Sequence, residues 1–249
     1  RNIIVKSSTA VDMVTDSSEI MTNDPDGNPR YVGTNPNNYV QFNNELWRII
    51  GVFNGQVKII RSTPYKNRSW DSDTASGIHA SYGYNDWSQA TLQKELNGTF
   101  LNSIDPTSRS YISTNHIWNL GGVPSNTSEW TRLKMYNYER GTTVYSGRPT
   151  TWTGAIGLIY PSDYAYSTNS TNDVCNTENM FKWHYVNVVS GNEIAYKECA
   201  KKSWLLYING SRSYWTITPF SSDATNVLYV HANGYATYRD AHYDNTIYP

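Results

Sequence analysis

The sequence predicts an α+β, β-rich domain with a central antiparallel sheet, few short helices and long loops. Three observations carry that expectation. Runs rich in Val, Ile, Tyr and Trp are separated by Asn-Asn and Asn-Gly pairs, the residues that best tolerate the positive φ of tight hairpin turns. One helical stripe, Leu92, Leu96 and Phe100, stands out among them. The composition leans on strand formers, with 21 Tyr and 9 Trp, while charged residues make up only 16%. At 249 residues the chain is long enough to bury a sizeable core.

In chain order, residues 1–36 read as an N-terminal extension and 37–249 as the main domain. The apolar Ile3-Ile4-Val5 lies within a candidate strand, Arg1 to Thr9, which needs a partner in its own domain or in a neighbouring molecule. Asp24-Pro25-Asp26-Gly27-Asn28-Pro29 has half the look of a calcium loop, but Pro and Gly at those positions are ordinary turn chemistry. Tyr39 to Arg61 reads as a three-stranded meander with turns at Asn43-Asn44 and Asn54-Gly55. The second turn sets Val52 against Val57, Ile50 against Ile59 and Ile49 against Ile60. The middle strand is apolar on both faces, so it should be central and covered on both sides, a core element rather than a site.

A helix is expected after Ser88, with Ser88 as N-cap and Trp87 and Leu92 as a hydrophobic staple, and with an interruption at Asn97-Gly98. Ile117 and Trp118 suggest a short strand, and residues 132–140 fit strand or helix. Thr150 to Tyr160 reads as a strand whose Gly154 and Gly157 permit close backbone approach. Ser162 or Asp163 then caps a short helical turn. The tail reads as a strand, Tyr214 to Thr218, followed by a hairpin turning at Asn233-Gly234. A two-residue turn there faces Tyr229 with Tyr238, Val230 with Thr237 and His231 with Ala236.

The formal net charge is −1 and there is no basic run, so nothing favours nucleic acid or an anionic membrane. No apolar run reaches membrane-spanning length. Cys175 and Cys199 are consistent with one disulfide closing an insertion, 175–199, in an oxidising compartment, with a pair of buried free thiols as the alternative. No nucleophile elbow, zinc-protease helix, P-loop or dinucleotide fingerprint is present, and histidines 79, 116, 184, 231 and 242 lack metal-ligand spacing. No catalytic residue, metal or cofactor is therefore expected. Asp163 and Asp223 read as turn residues rather than as a carboxylate pair. The densest polar-aromatic surface is Tyr229, His231, Tyr235, Tyr238, Arg239, His242, Tyr243 and Asp244, a composition typical of binding faces.

Four segments together carry a family resemblance. They are Asn35 to Phe53 (NPNNYVQFNNELWRIIGVF), Asn85 to Ala90 (NDWSQA), Trp152 to Tyr164 (WTGAIGLIYPSDY), and Trp204-Leu205 with Trp215 to Pro219 (WTITP). The chain resembles a family of bacterial surface proteins, of the gut Gram-positive type, with a C-type-lectin-like core related to the formylglycine-generating-enzyme subgroup. The resemblance implies an extracellular, cell-surface protein whose last hairpin is the ligand face, taking a carbohydrate or a protein. Relatives usually continue into a closing strand. Here the chain reads Asn245-Thr246-Ile247-Tyr248-Pro249, so an open sheet edge is expected, covered by the N-terminal residues of this chain or of another copy. The functional expectation is an adhesin-like binding protein. The alternative is a structural subunit of an extracellular filament or pilus, assembled through residues 1–9.

Overall fold

Both turns of the first meander form as the asparagines predict. Asn43, Asn44, Asn54 and Gly55 adopt φ of 53°, 55°, 49° and 75°, the left-handed region that two-residue hairpin turns require. The computed structural model describes residues 19–72, 81–169, 174–183, 199–208, 212–247 and 249. Of the described residues 29% are strand and 23% helix, a mixed, strand-rich fold with several antiparallel sheets and short helices. The candidate strand Arg1 to Thr9, together with His79, His184 and most of the insertion between the cysteines, lies outside the described residues.

The first sheet contains β1 (Ile20–Met21), β2 (Arg30–Tyr31), β3 (Tyr39–Phe42), β4 (Glu45–Phe53) and β5 (Gln56–Arg61). β4 pairs with β2, β3 and β5, the central place its apolar faces predict. Residues 20–31, expected in an extension, contribute two strands to this sheet. Val52 faces Val57 as expected, but the register then shifts between Ile49 and Gly51. Ile59 therefore faces Ile49, and Ile60 faces Arg48, one residue off the expected pairing. As successive strand residues the neighbouring isoleucines point to opposite faces and serve different cores: Ile49 joins one apolar cluster and Ile50 the other.

The helix after Trp87 begins two residues later than its sequence suggests, with Ala90 rather than Ser88 at the N-cap. Ser88 is held in a turn, its N–H and hydroxyl both donating to Asp86 Oδ1 at 3.0 and 2.6 Å. The helix runs Thr91–Glu95, and the Thr91 N–H donates to Asp71 Oδ1 at 3.1 Å. A distant carboxylate thus does the work expected of a local cap. The predicted interruption at Asn97-Gly98 is a π-helical turn, Leu96–Phe100, leading into Leu101–Ser103. Leu92, Leu96 and Phe100 are all buried.

Beyond it, residues 132–140 resolve as a helix, Arg132–Glu139. A small sheet pairs β7 (His116–Asn119) with β8 (Thr151–Gly154). The expected strand from Thr150 to Tyr160 is therefore cut short at Gly154. The close approach foreseen at Gly157 is real: a Cβ there would lie 2.7 Å from the Trp118 ring. Pro161–Tyr166 is the expected short helix, with Asp163 accepting from the Tyr160 N–H at 2.9 Å.

The second sheet orders β11 (Ala236–Asp240), β10 (Asn226–Val230), β9 (Tyr214–Pro219), β12 (Asp244–Thr246) and β6 (Asn67–Ser69). β12 is antiparallel to β6 and parallel to β9, so the chain does supply a closing strand and the open edge expected here is filled from within. Alternate residues of β9 and β10 serve opposite cores, Trp215, Ile217 and Val227 on one side and Tyr214, Leu228 and Val230 on the other. Cys175 and Cys199, with Cα atoms 5.4 Å apart, form the disulfide; both are buried in the cluster that holds Trp183 and Trp204. Among the described residues no helix is long and apolar enough to cross a membrane.

Asn97 links the π turn to the segment after β8. Its Oδ1 accepts from Ala155 N and Ile156 N at 3.2 and 2.9 Å, while Nδ2 donates to Gln93 O and Ile156 O at 3.0 and 2.9 Å. Asn97→Ala leaves buried backbone groups without partners and is expected to cost about 2–3 kcal/mol. Urea denaturation measures it, and a loss within experimental error would show that the amide contributes nothing to that junction.

Candidate functional site

The C-terminal hairpin turns at Asn233-Gly234, but not by a two-residue loop. Gly234 alone takes positive φ, at 89°, and Gly234 N donates to His231 O at 2.7 Å while His231 N donates to Tyr235 O at 2.9 Å. This is a three-residue loop with a glycine bulge, and it moves the pairing by one residue. Tyr229 faces Thr237, Leu228 faces Tyr238 and Val230 faces Ala236, correcting the expected register.

That slip divides the candidate residues between two faces. On one face Tyr229 packs edge-on to Trp215 at 5.8 Å and lies 6.3 Å from His231, which stacks on Tyr235 at 4.4 Å and 22°. Arg239 shares the face of Tyr229 and sits 4.1 Å from the centre of the exposed Tyr243 ring. Tyr238 points the other way, onto Phe220 at 4.5 Å and toward Trp130 at 6.2 Å. His242 and Asp244 are exposed beside the turn into β12, where Ser69 Oγ donates to Asp244 Oδ1 at 2.9 Å. Burial raises the Tyr229 and Tyr235 hydroxyl pKa values, so both stay protonated donors near neutrality.

A second feature was not foreseen. A cleft of about 820 Å³ opens against the first meander, the part read from sequence as pure core. Its apolar wall includes Phe42, Trp47, Ile49, Val57, Ile59 and Ile112. Its polar end is formed by Lys58, Arg140, His116, Tyr136, Tyr160 and Asp163. Lys58 Nζ donates to Asp163 Oδ2 at 2.5 Å and stands 4.6 Å from the Tyr160 ring centre and 5.4 Å from that of Trp118. Arg30 Nη1 donates to Asp163 Oδ1 at 2.8 Å, and Arg30 Nε to Asp24 Oδ2 at 2.6 Å. Asp163 therefore answers two cations, whereas Asp223 closes its own turn on Thr225 and Asn226. The Asp24–Pro29 turn is a turn, and Arg30 takes the charge a cation would have met.

One sequence signal bears on this polar end: Lys58 is the single charge between the apolar Val57 and Ile59. Burial pushes the Asp163 pKa up, but Lys58 and Arg30 more than offset this and hold it well below the ordinary carboxylate range. Burial lowers the Lys58 pKa, and Asp163 partly restores it. Behind the cleft, fully buried Glu139 accepts from Ser162 N at 2.9 Å and from the Ser162 hydroxyl, and Arg140 Nη1 lies 3.2 Å from its Oε2.

Burial raises the Glu139 pKa to about 7, against the pull of Arg140 and Ser162. Between the ordinary carboxylate value of 4.5 and 7 the folded protein keeps a proton that the unfolded chain has released, so stability falls as pH rises through that window. Asp163 acts in the opposite sense, its contribution being lost only on acidification below the ordinary carboxylate range. The unfolding free energy is thus expected to drop by on the order of 2–3 kcal/mol between about pH 5 and about pH 7.5, and Glu139→Gln should flatten that slope. Urea titrations at both values decide it; identical slopes in the two proteins would assign the dependence elsewhere. No protein-family model, curated protein or solved structure matches this chain.

Proposed function

We propose that the chain is an extracellular, bacterial surface-displayed binding protein of C-type-lectin-like fold, not an enzyme, recognising a carbohydrate or a protein through one face of its C-terminal hairpin. The observation that carries this reading is the aromatic row Tyr229, His231 and Tyr235, with the Arg239–Tyr243 pair on the same face. Its rings are preorganised by contact with one another and with Trp215 beneath, so little rotamer entropy remains to be lost on binding. Ring faces suit the apolar faces of sugars or a protein's aliphatic side chains, while Arg239 and the tyrosine hydroxyls serve polar groups. The cysteine pair at bonding distance fits an oxidising compartment. The filament alternative started from an open edge and from the apolar Ile3-Ile4-Val5; Asp244–Thr246 pairs within the second sheet, which weakens the first motive, while residues 1–9 lie outside the described residues.

The test is a double variant, Arg239→Ala with Tyr243→Ala, on arrays of glycans and of extracellular-matrix proteins. Both side chains are exposed, so the melting temperature should stay near that of the unaltered protein. Binding should fall at least tenfold, the loss of roughly 1.4 kcal/mol or more. Undiminished binding would remove this face from consideration, as would failure of the unaltered protein to bind on either array.

A further inference from the structure

We propose that the cleft against β5 is a second, independent binding site, and that its ligand is an aliphatic carboxylate: head toward Lys58 and Arg140, tail along Val57, Ile59 and Ile112. Its volume of about 820 Å³ falls in the range of small-molecule sites, which combine mostly apolar walls with a few convergent polar groups.

The hydrogen-bond inventory at the polar end selects an acceptor. Three aspartates line the cleft, and all are engaged; Asp105 accepts from the Thr107 and Ser108 N–H groups at 3.0 Å each. Asp163 receives Arg30 at 2.8 Å, Lys58 at 2.5 Å and the Tyr160 N–H at 2.9 Å, and Asp26 receives the Tyr136 hydroxyl. The Tyr160 hydroxyl is likewise committed, donating to Asn119 O at 3.1 Å. The cations are not used up. Among the described residues Lys58 makes one hydrogen bond, to Asp163, and an ammonium has three donors. Arg140 uses only Nη1, toward Glu139 and Tyr136 O, leaving Nε and Nη2 without protein partners among the described residues. Both side chains keep some exposure, 18% and 24%, so their remaining donors are reachable. His116 is engaged with Gln56 Oε1 through Nδ1 at 2.8 Å and adds no donor to this count.

Arg140 is also positioned for the task. Its guanidinium lies 3.4 Å from the centre of the Tyr136 ring, and that ring is fixed by Asp26. Surplus donors at one end and isoleucine, valine and phenylalanine walls at the other describe an amphipathic oxyanion. A neutral lipid would leave the cations unanswered, and a sugar would leave the apolar wall without a counterpart. At the mouth, Tyr111 and Ile117 are 51% and 61% exposed, an apolar rim a tail can cover as it enters.

The test uses dodecanoate and dodecan-1-ol below their aggregation limits, with binding read by calorimetry on the full chain. Dodecanoate should bind at least about tenfold more tightly than the alcohol. Arg140→Met should remove that preference while leaving alcohol binding unchanged, and Arg140→Lys should restore part of it. Ile112→Trp, at the partly exposed tail end, should weaken both ligands; it guards against a folding defect in the arginine variants, as does the melting temperature of each. The double variant Arg239→Ala with Tyr243→Ala should bind dodecanoate normally, which separates this site from the hairpin face. No binding of dodecanoate up to about 1 mM, equal affinity for the alcohol, or full affinity in a folded Arg140→Met protein would overturn the assignment.

Discussion

The burial of Arg30 is the constraint on which the rest of the first sheet depends. Its side chain is 1% exposed, and a charge so placed is tolerable only between partners. Asp24 and Asp163 supply them, and Lys58 continues the series from the far side of Asp163. The resulting chain of alternating charge ties the Asp24–Pro29 turn, β2, β5 and the helix Pro161–Tyr166 to one another. Arg30 also lies 4.5 Å from the Phe53 ring centre and 5.5 Å from that of Tyr166, so aromatic rings cover the guanidinium while Nε and Nη1 are paired and Nη2 is buried without a hydrogen-bond partner among the described residues. Such a cluster is a weak source of net stability but a strong source of alignment, since losing one partner leaves a buried charge uncompensated.

The two apolar clusters are kept in register by a different device. The second sheet lies between them, and indole N–H groups bridge elements distant in the sequence. Trp70 donates to Thr216 O at 3.0 Å, Trp215 to Arg68 O at 3.1 Å and Trp204 to Tyr31 O at 3.0 Å. Each of these three indoles fills a core and satisfies a backbone carbonyl at once. Arg48 adds a similar link, bonded to Asn38 Oδ1 at 2.7 Å and lying 4.4 Å from the Trp204 ring centre.

What could be read from the sequence was local. The left-handed asparagines, the π interruption at Asn97-Gly98 and the short helix after Pro161 were legible because backbone preferences at single residues dictate them. The failures share a different cause. Ser88 does not cap its helix because Asp71, distant in sequence, reaches the Thr91 N–H first. The register errors at Ile49–Gly51 and at His231–Tyr235 come from one inserted residue each, which no alternation pattern can reveal. The second of these mattered most for the site, since it sent Tyr238 to the opposite face from Tyr229. The cleft was invisible for the same reason: Arg140, Tyr160, His116 and Lys58 come from four separate elements, and only the tertiary fold brings them together.

The polar end of that cleft also bears on what kind of site it is. General acid–base chemistry needs a group whose proton is exchangeable near neutrality and within reach of a ligand. Asp163 is held ionised by two cations, and the Tyr160 and Tyr136 hydroxyl pKa values are driven upward by burial, away from neutrality. Glu139, whose pKa is near 7, is fully buried beneath Ser162 and does not line the cavity. His116 is moved down by burial and by Lys58, which favours its neutral form. Lys58 faces the cleft as well, its pKa lowered by burial and partly restored by Asp163, so the charge at this end depends on that one contact as much as on the side chains themselves.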